Sequence, residues 1–258
     1  MPRIILASFL LLSLLGPVFA GPPYVSDDPE PTDFKHFEIY TFDSGTNTRG
    51  ETDGETGVDF NYGAAPNLQL TATLPLGFSF PNGGDAQFGL GNIELAAKYR
   101  FLQQASVGWD VAVFPRVFLP SGSGSVGDRQ ASLLLPIWAQ RDLGNGWTTF
   151  GGGGCQLYPA GSIQDFCMAG WVLTRQIAPN LQVGAELFHQ TGTSATPATT
   201  SLGVGAVYDL NKNFHLLGYV RTGIQNPEET DNVSWYAAVL WTLFLFVVNC
   251  RIRSTHLL

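Results

Sequence analysis

Residues 67–80 read NLQLTATLPLGFSF, and apolar side chains occupy every second position of this stretch. The positions between them hold Asn, Gln, Thr, Pro, Gly and Ser. Successive side chains of a β-strand point to opposite faces, so the alternation predicts a strand with one apolar face and one largely polar face. Its fourteen residues exceed the usual strand length of about five or six. The apolar face must either cover the core of a soluble sandwich or face lipid.

The amino-acid composition favours the second alternative, an apolar face that contacts lipid. Charged residues make up 13% of the 258-residue chain, against about 25% in a typical soluble domain. The mean hydropathy of +0.09 is too low for a bundle of membrane helices, but it suits a membrane β-barrel, whose inward positions stay polar. The net charge of −8 and the lack of a basic run argue against a nucleic-acid partner. Three cysteines are too few for a disulfide-built scaffold.

The N-terminus has the features of an export signal. Residues 1–20 read MPRIILASFLLLSLLGPVFA, with a basic Arg3, an apolar run and small residues before position 21. This pattern predicts a signal peptide over 1–20 that is cleaved before Gly21; the alternative is an uncleaved membrane anchor. Residues 21–33 are rich in Pro and Asp, and we expect them to form a periplasmic N-terminal segment.

A rhythm of alternating segments follows, separated by Gly, Asn, Pro and Ser. We predict twelve strands, at 34–43, 55–63, 67–80, 90–103, 107–118, 131–142, 147–157, 164–176, 181–190, 200–210, 214–223 and 233–244. Long connections such as SGTNTRGETDGE alternate with short ones such as GAAP, LGNG, APN and NKN. Outer-membrane barrels have long extracellular loops and short periplasmic turns, whereas a sandwich has no reason to sort its loops this way. The fold prediction is therefore an all-β transmembrane antiparallel barrel over residues 34–244.

The two faces of the strands agree with a barrel. In NIELAAKYRF, Leu95 and Tyr99 share one parity while Glu94 and Lys98 share the other. Charges this dense cannot face acyl chains, nor a dry core, but a wet lumen accommodates them. The predicted lumen-facing charges are Glu94, Lys98, Arg100, Asp110, Arg116, Glu186 and Arg221. The alternative is a mutually neutralised wall without a ligand role.

Several stretches resemble a known family. They are SDDPEPTDFKHFEIY, NYGAAPNLQL, LGNIELAAKYRF, VAVFPRVFLPSG, GWTTFGGGGCQLYP and VGAELFHQT, in this order over roughly residues 24–243. They are similar to the outer-membrane family associated with the meta-cleavage pathway of phenol degradation. The resemblance implies a β-barrel of the bacterial outer membrane, embedded among lipid and lipopolysaccharide, that passes small-molecule solutes, aromatic or hydrophobic ones among them. It implies no catalytic residue, metal or cofactor.

Two other functions remain open: a closed structural barrel without transport, and an outer-membrane hydrolase. The hydrolase would need a Ser, a His and an orienting acid or amide, and His189 with Thr193 and Ser194 is the nearest approach. The loop carboxylates Asp43, Asp53 and Glu55 could bind divalent ions that bridge lipopolysaccharide. No His or Cys spacing predicts a metal site, and GGGG at 151–154 lacks the features of a phosphate loop, so we expect a barrel corner there.

The C-terminus departs from the family pattern. Residues 245–258 continue as an atypical tail beyond the predicted last strand, whose terminal aromatics are Trp241 to Phe244. The nearly continuous apolar run over 235–248 could alternatively form a transmembrane helix, although it is shorter than the usual twenty residues or so.

Cys155 and Cys167 lie on two consecutive predicted strands. If their hairpin is symmetric about Gly161, the two residues are directly opposed and close enough for a disulfide, which the oxidising periplasm would permit. A register shift of one residue would separate them, and free cysteines on an apolar face are the alternative.

Overall fold

The computed structural model describes residues 23–123, 126–127, 130–161 and 163–244. The predicted signal peptide and the C-terminal tail lie outside these residues. The regular secondary structure of the described chain is almost entirely β, with two short helices, α1 (Gln104–Val107) and α2 (Pro227–Thr230). Its strands are β1 (His36–Asn47), β2 (Glu51–Ala65), β3 (Leu68–Pro81), β4 (Gln87–Leu90), β5 (Glu94–Leu102), β6 (Asp110–Val113), β7 (Arg116–Phe118), β8 (Ser132–Gly144), β9 (Trp147–Leu157), β10 (Phe166–Ala178), β11 (Leu181–Gln190), β12 (Thr199–Asp209), β13 (Phe214–Gln225) and β14 (Val233–Phe244).

These strands form a closed antiparallel barrel of twelve wall strands, as the sequence predicts. β4 and β5 are two parts of one crossing of the wall, because both pair with β3. β6 and β7 are likewise two parts of the next crossing, interrupted at 114–115, because both pair with β5 and β8. The barrel closes where β1 pairs antiparallel with β14 over its whole length, from His36 opposite Phe244 to Asn47 opposite Val233. This pairing leaves neither the first nor the last strand of the described wall as an open edge, as a lipid environment requires.

Most connections sort by length onto the two ends of the barrel; the exceptions are the three-residue turn 48–50 at one end and the seven-residue connection 103–109 at the other. Two-residue turns join β2 to β3, β8 to β9 and β10 to β11 at one end, called here the short-turn end. Connections of up to thirteen residues cluster at the other, long-loop end. One predicted loop is wrong: residues 44–55 are not a long connection, since β1 and β2 pair as far as Asn47 opposite Thr52. The alternation of small polar residues continues there, so the ladder extends to a turn over 48–50.

The predicted two-faced character of the strands is visible in the exposure of the side chains. On β3, Leu70, Leu74 and Leu76 are 47–57% exposed on the outer surface, while Gln69 and Thr71 are buried on the inner one. Aromatic residues flank this apolar exterior near the strand ends, for example Phe80 against Phe88 and Phe214 stacked on Trp241. The apolar face of NLQLTATLPLGFSF therefore lies on the outside of the barrel.

The barrel interior is filled partly by side chains. Six buried residues form an apolar cluster on the wall made by β12, β13, β14 and β1: Tyr40, Phe42, Val207, Leu217, Ala238 and Leu240. Tyr40 and Phe42 of this cluster also line the open space described below, so the cluster forms part of its wall.

No helix in the described part of the chain is both long and apolar enough to span a membrane. The helix alternative for 235–248 is wrong as far as residue 244, because these residues form β14 and pair with β1 and β13. Its last four residues lie outside the described part.

Candidate functional site

The interior of the barrel contains a segment of the chain itself. Residues 23–33, called the plug here, precede β1 and run from the short-turn end across the interior. Their contacts extend from Gln69 on β3, through Lys98 on β5, to Glu186 on β11 and Gly205 on β12. The sequence-based expectation of a periplasmic segment therefore differs from the structure. The physical reason is complementarity: the acids of this segment meet cations that point inward from the wall.

An ion-pair cluster holds the middle of the plug. Lys98 Nζ lies 3.0 Å from Asp27 Oδ1 and 3.5 Å from Asp28 Oδ1. Arg116 Nη2 lies 4.0 Å from Asp27 Oδ2, and its Nε lies 3.2 Å from Glu94 Oε1. Lys98 is only 4% exposed, and a buried charge of this kind is stable only when it is paired. Three of the predicted lumen charges thus lie together around the plug.

A second anchor holds the backbone of the plug. The Glu186 carboxylate accepts hydrogen bonds from the backbone N–H of Ser26 at 2.7 Å and of Val25 at 3.3 Å. The Tyr219 hydroxyl donates to the same carboxylate. Glu186 is 2% exposed, and these charge-assisted bonds compensate for its burial. Nearby, the Tyr24 ring packs against Tyr219 and Phe150.

The wall opposite the plug is recessed by glycine. A Cβ atom at Gly170 would collide with Ser26 Oγ, and one at Gly184 would collide with the Tyr24 hydroxyl. These inward positions of β10 and β11 therefore leave the room that the plug fills. The plug is an integral part of the packed interior.

The short-turn end of the plug is held by an amide network. The Gln69 Oε1 atom accepts from the backbone N–H of Thr32 at 2.8 Å and from its hydroxyl at 3.1 Å. Gln69 Nε2 in turn donates to Asn61 Oδ1 at 2.6 Å and to Thr71 Oγ1 at 3.0 Å. Gln140 on β8 adds a bond to the Glu30 carboxylate at 3.1 Å. Polar residues of three strands thus fix the point where the plug enters the barrel.

The other predicted lumen charges lie away from this cluster. Arg100 pairs with Asp110 at 3.6 Å near the short turns, where it also donates to Asn67. Arg221 lies toward the long loops, with its Nε 2.8 Å from the buried Asp231. Asp231 also accepts from Ser201 and Ser234 at 2.5 Å each, which ties the connection containing α2 to the inner wall.

A cavity of about 860 Å³ lies between the plug and the wall formed by β1, β2 and their neighbours. Its lining extends from Thr46 and Asp53 near the long loops to Glu38 and Gln69 near the short turns.

Two acidic residues proposed for ion bridging point elsewhere. Asp53 and Glu55 belong to β2 and line the interior cavity because the strand extends past the predicted loop. Asp43 accepts a 2.7 Å hydrogen bond from the Trp235 indole.

The residues considered for the hydrolase alternative bond to neighbouring threonines. His189 Nδ1 lies 2.9 Å from Thr200 Oγ1, and the Thr193 hydroxyl bonds within its own loop to Thr196. Within the described residues, no cluster of His, Cys, Asp or Glu could hold a metal ion.

Cys155 and Cys167 are direct partners in the ladder between β9 and β10. Their sulfur atoms are bonded in the structure, with the Cα atoms 3.9 Å apart. The glycine run that precedes Cys155 lies within β9, and its Gly152 has a φ of +153°. A Cβ atom at Gly152 would collide with the backbone of Ile137, so the run permits close approach between β8 and β9.

Sequence reasoning missed the plug itself and the acids on β1 and β2. The signal that could have revealed the plug is SDDPEPTD at 26–33, whose carboxylates match the inward cations of later strands. No local pattern connects residues so far apart in the chain.

A closed twelve-stranded antiparallel barrel with an apolar exterior and a charged, partly plugged interior defines the class of outer-membrane β-barrels. The family model for the "Putative MetA-pathway of phenol degradation" matches residues 26–234, and the chain belongs to this family.

Solved structures share the fold. The COG4313 outer membrane channel from Pseudomonas putida F1 matches with a TM-score of 0.71 and 15% identity, over 84% of this chain and 98% of that one. The KdgM porin matches with a TM-score of 0.55 and 12% identity, over 79% and 98% of the two chains. The NanC porin gives 0.54 and 8%, over 80% and 100%. Comparison with curated proteins found no match.

Proposed function

We propose that this protein is a passive, non-enzymatic outer-membrane channel that admits small solutes through the cavity beside the plug. The observation that carries the proposal is the 860 Å³ cavity, which lies inside a closed barrel and extends along the wall between its two ends. The fold shared with an outer membrane channel and two porins supports it. On this proposal the long loops face outward from the cell and the short turns face the periplasm.

The plug sets the width of the path. Its acids are held at the wall by Lys98 and Arg116, so solute passes only through the space that the plug leaves. A pathway this narrow favours small molecules. Aromatic solutes are included in the proposal because Phe42, Phe114 and Trp138 are among the lining residues.

Liposome swelling with solutes of graded size tests the proposal. We expect purified protein to give swelling with small neutral solutes and none with large oligosaccharides. The variant Lys98→Met leaves Asp27 and Asp28 without their principal cation, so we expect the plug to loosen and larger solutes to enter. Lys212→Met, at an exposed position of the turn between β12 and β13, is the matched control and should behave as wild type.

The rival function is a closed structural barrel. It predicts no swelling with any solute, for the wild type as for both variants. Folded protein that gives no swelling and no single-channel current would therefore overturn the channel proposal.

A further inference from the structure

The cavity is strongly acidic along one wall. Nine of its lining side chains are Asp or Glu and three are Lys or Arg. Within the described part of the chain, six of these carboxylates form no ion pair: Glu30, Asp33, Glu38, Asp53, Glu55 and Asp59. The cavity lining therefore has an excess of carboxylates over cations, and six of the carboxylates have no cation within ion-pair distance in the described residues.

The positive charges of the cavity are already neutralised. Lys98 pairs with Asp27 and Asp28, and Arg116 pairs with Glu94 and Asp27. Arg221 is 2.8 Å from the buried Asp231, and its guanidinium also lies over the Phe188 ring. Each cation thus has an anionic partner of its own, so no lining cation is free to offset the remaining carboxylates.

The remaining acids are arranged along the path. Asp53, Glu55 and Asp59 occupy inward positions of one strand, β2, and the ladder places them opposite Thr46, Ser44 and Tyr40 of β1. Glu38 continues the series on β1 toward the short turns. A solute that moves along this wall meets carboxylates near the long-loop end, at mid-height and near the short-turn end.

Aromatic rings flank the same wall. Phe42 and Tyr236 stack with their centroids 6.2 Å apart, and both line the cavity together with Tyr40. Aromatic faces attract cations, and they also exclude water and lower the local dielectric constant, which strengthens the field of nearby charges. Carboxylates and aromatic faces therefore favour the same sign of solute charge.

We propose that Asp53, Glu55 and Asp59 make the path selective for small cations, inorganic or organic ammonium, over anions. Rings and files of carboxylates produce such selectivity in other pores by raising the local cation concentration and repelling anions. The proposal rests on the channel function above and specifies its charge preference.

Reversal potentials across a planar bilayer in a potassium chloride gradient test it. We expect wild-type protein to pass potassium in severalfold preference to chloride. The double variant Asp53→Asn with Glu55→Gln should bring the permeability ratio toward one, and adding Asp59→Asn should lower it further. Asp85→Asn, an exposed acid in the connection between β3 and β4, is the matched control and should keep the wild-type ratio.

The outcomes separate the two proposals. A conducting wild-type protein that prefers chloride, or whose selectivity is the same in the double variant, overturns the cation preference and leaves the channel in place. Folded wild-type protein without any current overturns the channel function itself. If the variants do not fold, as judged by heat-dependent migration on gels, the sign of the wild-type reversal potential decides the question.

Discussion

Neighbouring residues of one strand in this barrel face different environments, the outer surface and the polar interior. Leu95 on β5 is 46% exposed on the outer surface, whereas Glu94 beside it is 8% exposed and pairs with Arg116 inside. A polar substitution is therefore tolerated at one position and costly at the next.

Leu95→Arg should impair insertion of the barrel, because it places a cation against acyl chains at a cost of about 2–4 kcal/mol at mid-depth. Glu94→Gln should fold, since Arg116 retains Asp27 as a partner. The fraction of protein that shows heat-modifiable migration measures folding. Equal loss of folded protein in both variants would contradict this assignment of faces.

The bond between Cys155 and Cys167 predicts the thiol content of the purified protein. Of the chain's three cysteines, two are bonded in the structure. Labelling of denatured, unreduced protein should therefore modify one thiol, at Cys250, and all three after reduction. Three labelled thiols before reduction would rule the bridge out.

At the scale of elements, the plug and the recessed strands beneath it form one packed unit. Gly170→Val on β10 should displace the plug, because the new side chain would occupy the space of Ser26 and approach the Glu186 carboxylate. We expect a larger single-channel conductance. Gly218→Val is the matched control, since a Cβ atom there would meet no neighbour within 4 Å, and it should conduct as wild type. A conductance that is equal in the two variants would show that the plug does not limit the path.

The strands themselves could be predicted from sequence, because each carries its own evidence: a two-residue period with flanking turn residues. The alternation in 67–80 was enough to place β3, whose bounds in the structure are Leu68–Pro81. Where the local pattern was ambiguous, as in the Thr- and Gly-rich residues 44–55, the strand continued because pairing with its neighbour stabilised it. Tertiary context outweighs turn propensity there.

The candidate site was less predictable than the fold. Parity identified Lys98, Arg116 and Glu186 as inward charges, but their partners in the plug are separated from them by 71 to 161 residues. Nothing local in SDDPEPTD indicates which wall it will meet. The acids of β1 and β2 were assigned to a loop or left unassigned, since their cavity exists only after closure.

At the scale of the whole molecule, closure depends on the pairing of the first and last strands. A chain ending at residue 244 should still form a closed barrel, because β14 ends at Phe244 and pairs fully with β1. A chain ending at residue 232 lacks β14 and leaves β1 and β13 as open edges, which lipid does not tolerate. Heat-modifiable migration after refolding into detergent should appear for the first and be lost for the second. Closed barrels from both chains would contradict the register described here.

The plug lies ahead of β1 in the chain and inside the ring that β1 and β14 complete. Barrel closure must therefore enclose this segment: residues 23–33 are either in place when β1 pairs with β14, or they must enter the closed barrel afterwards through the short-turn end. Anything fused in front of residue 23 would share that passage. An affinity tag or fluorescent reporter fused here would compete with Tyr24 and Ser26 for the space beside Gly184 and Gly170. A label for imaging or purification therefore belongs in a long loop instead.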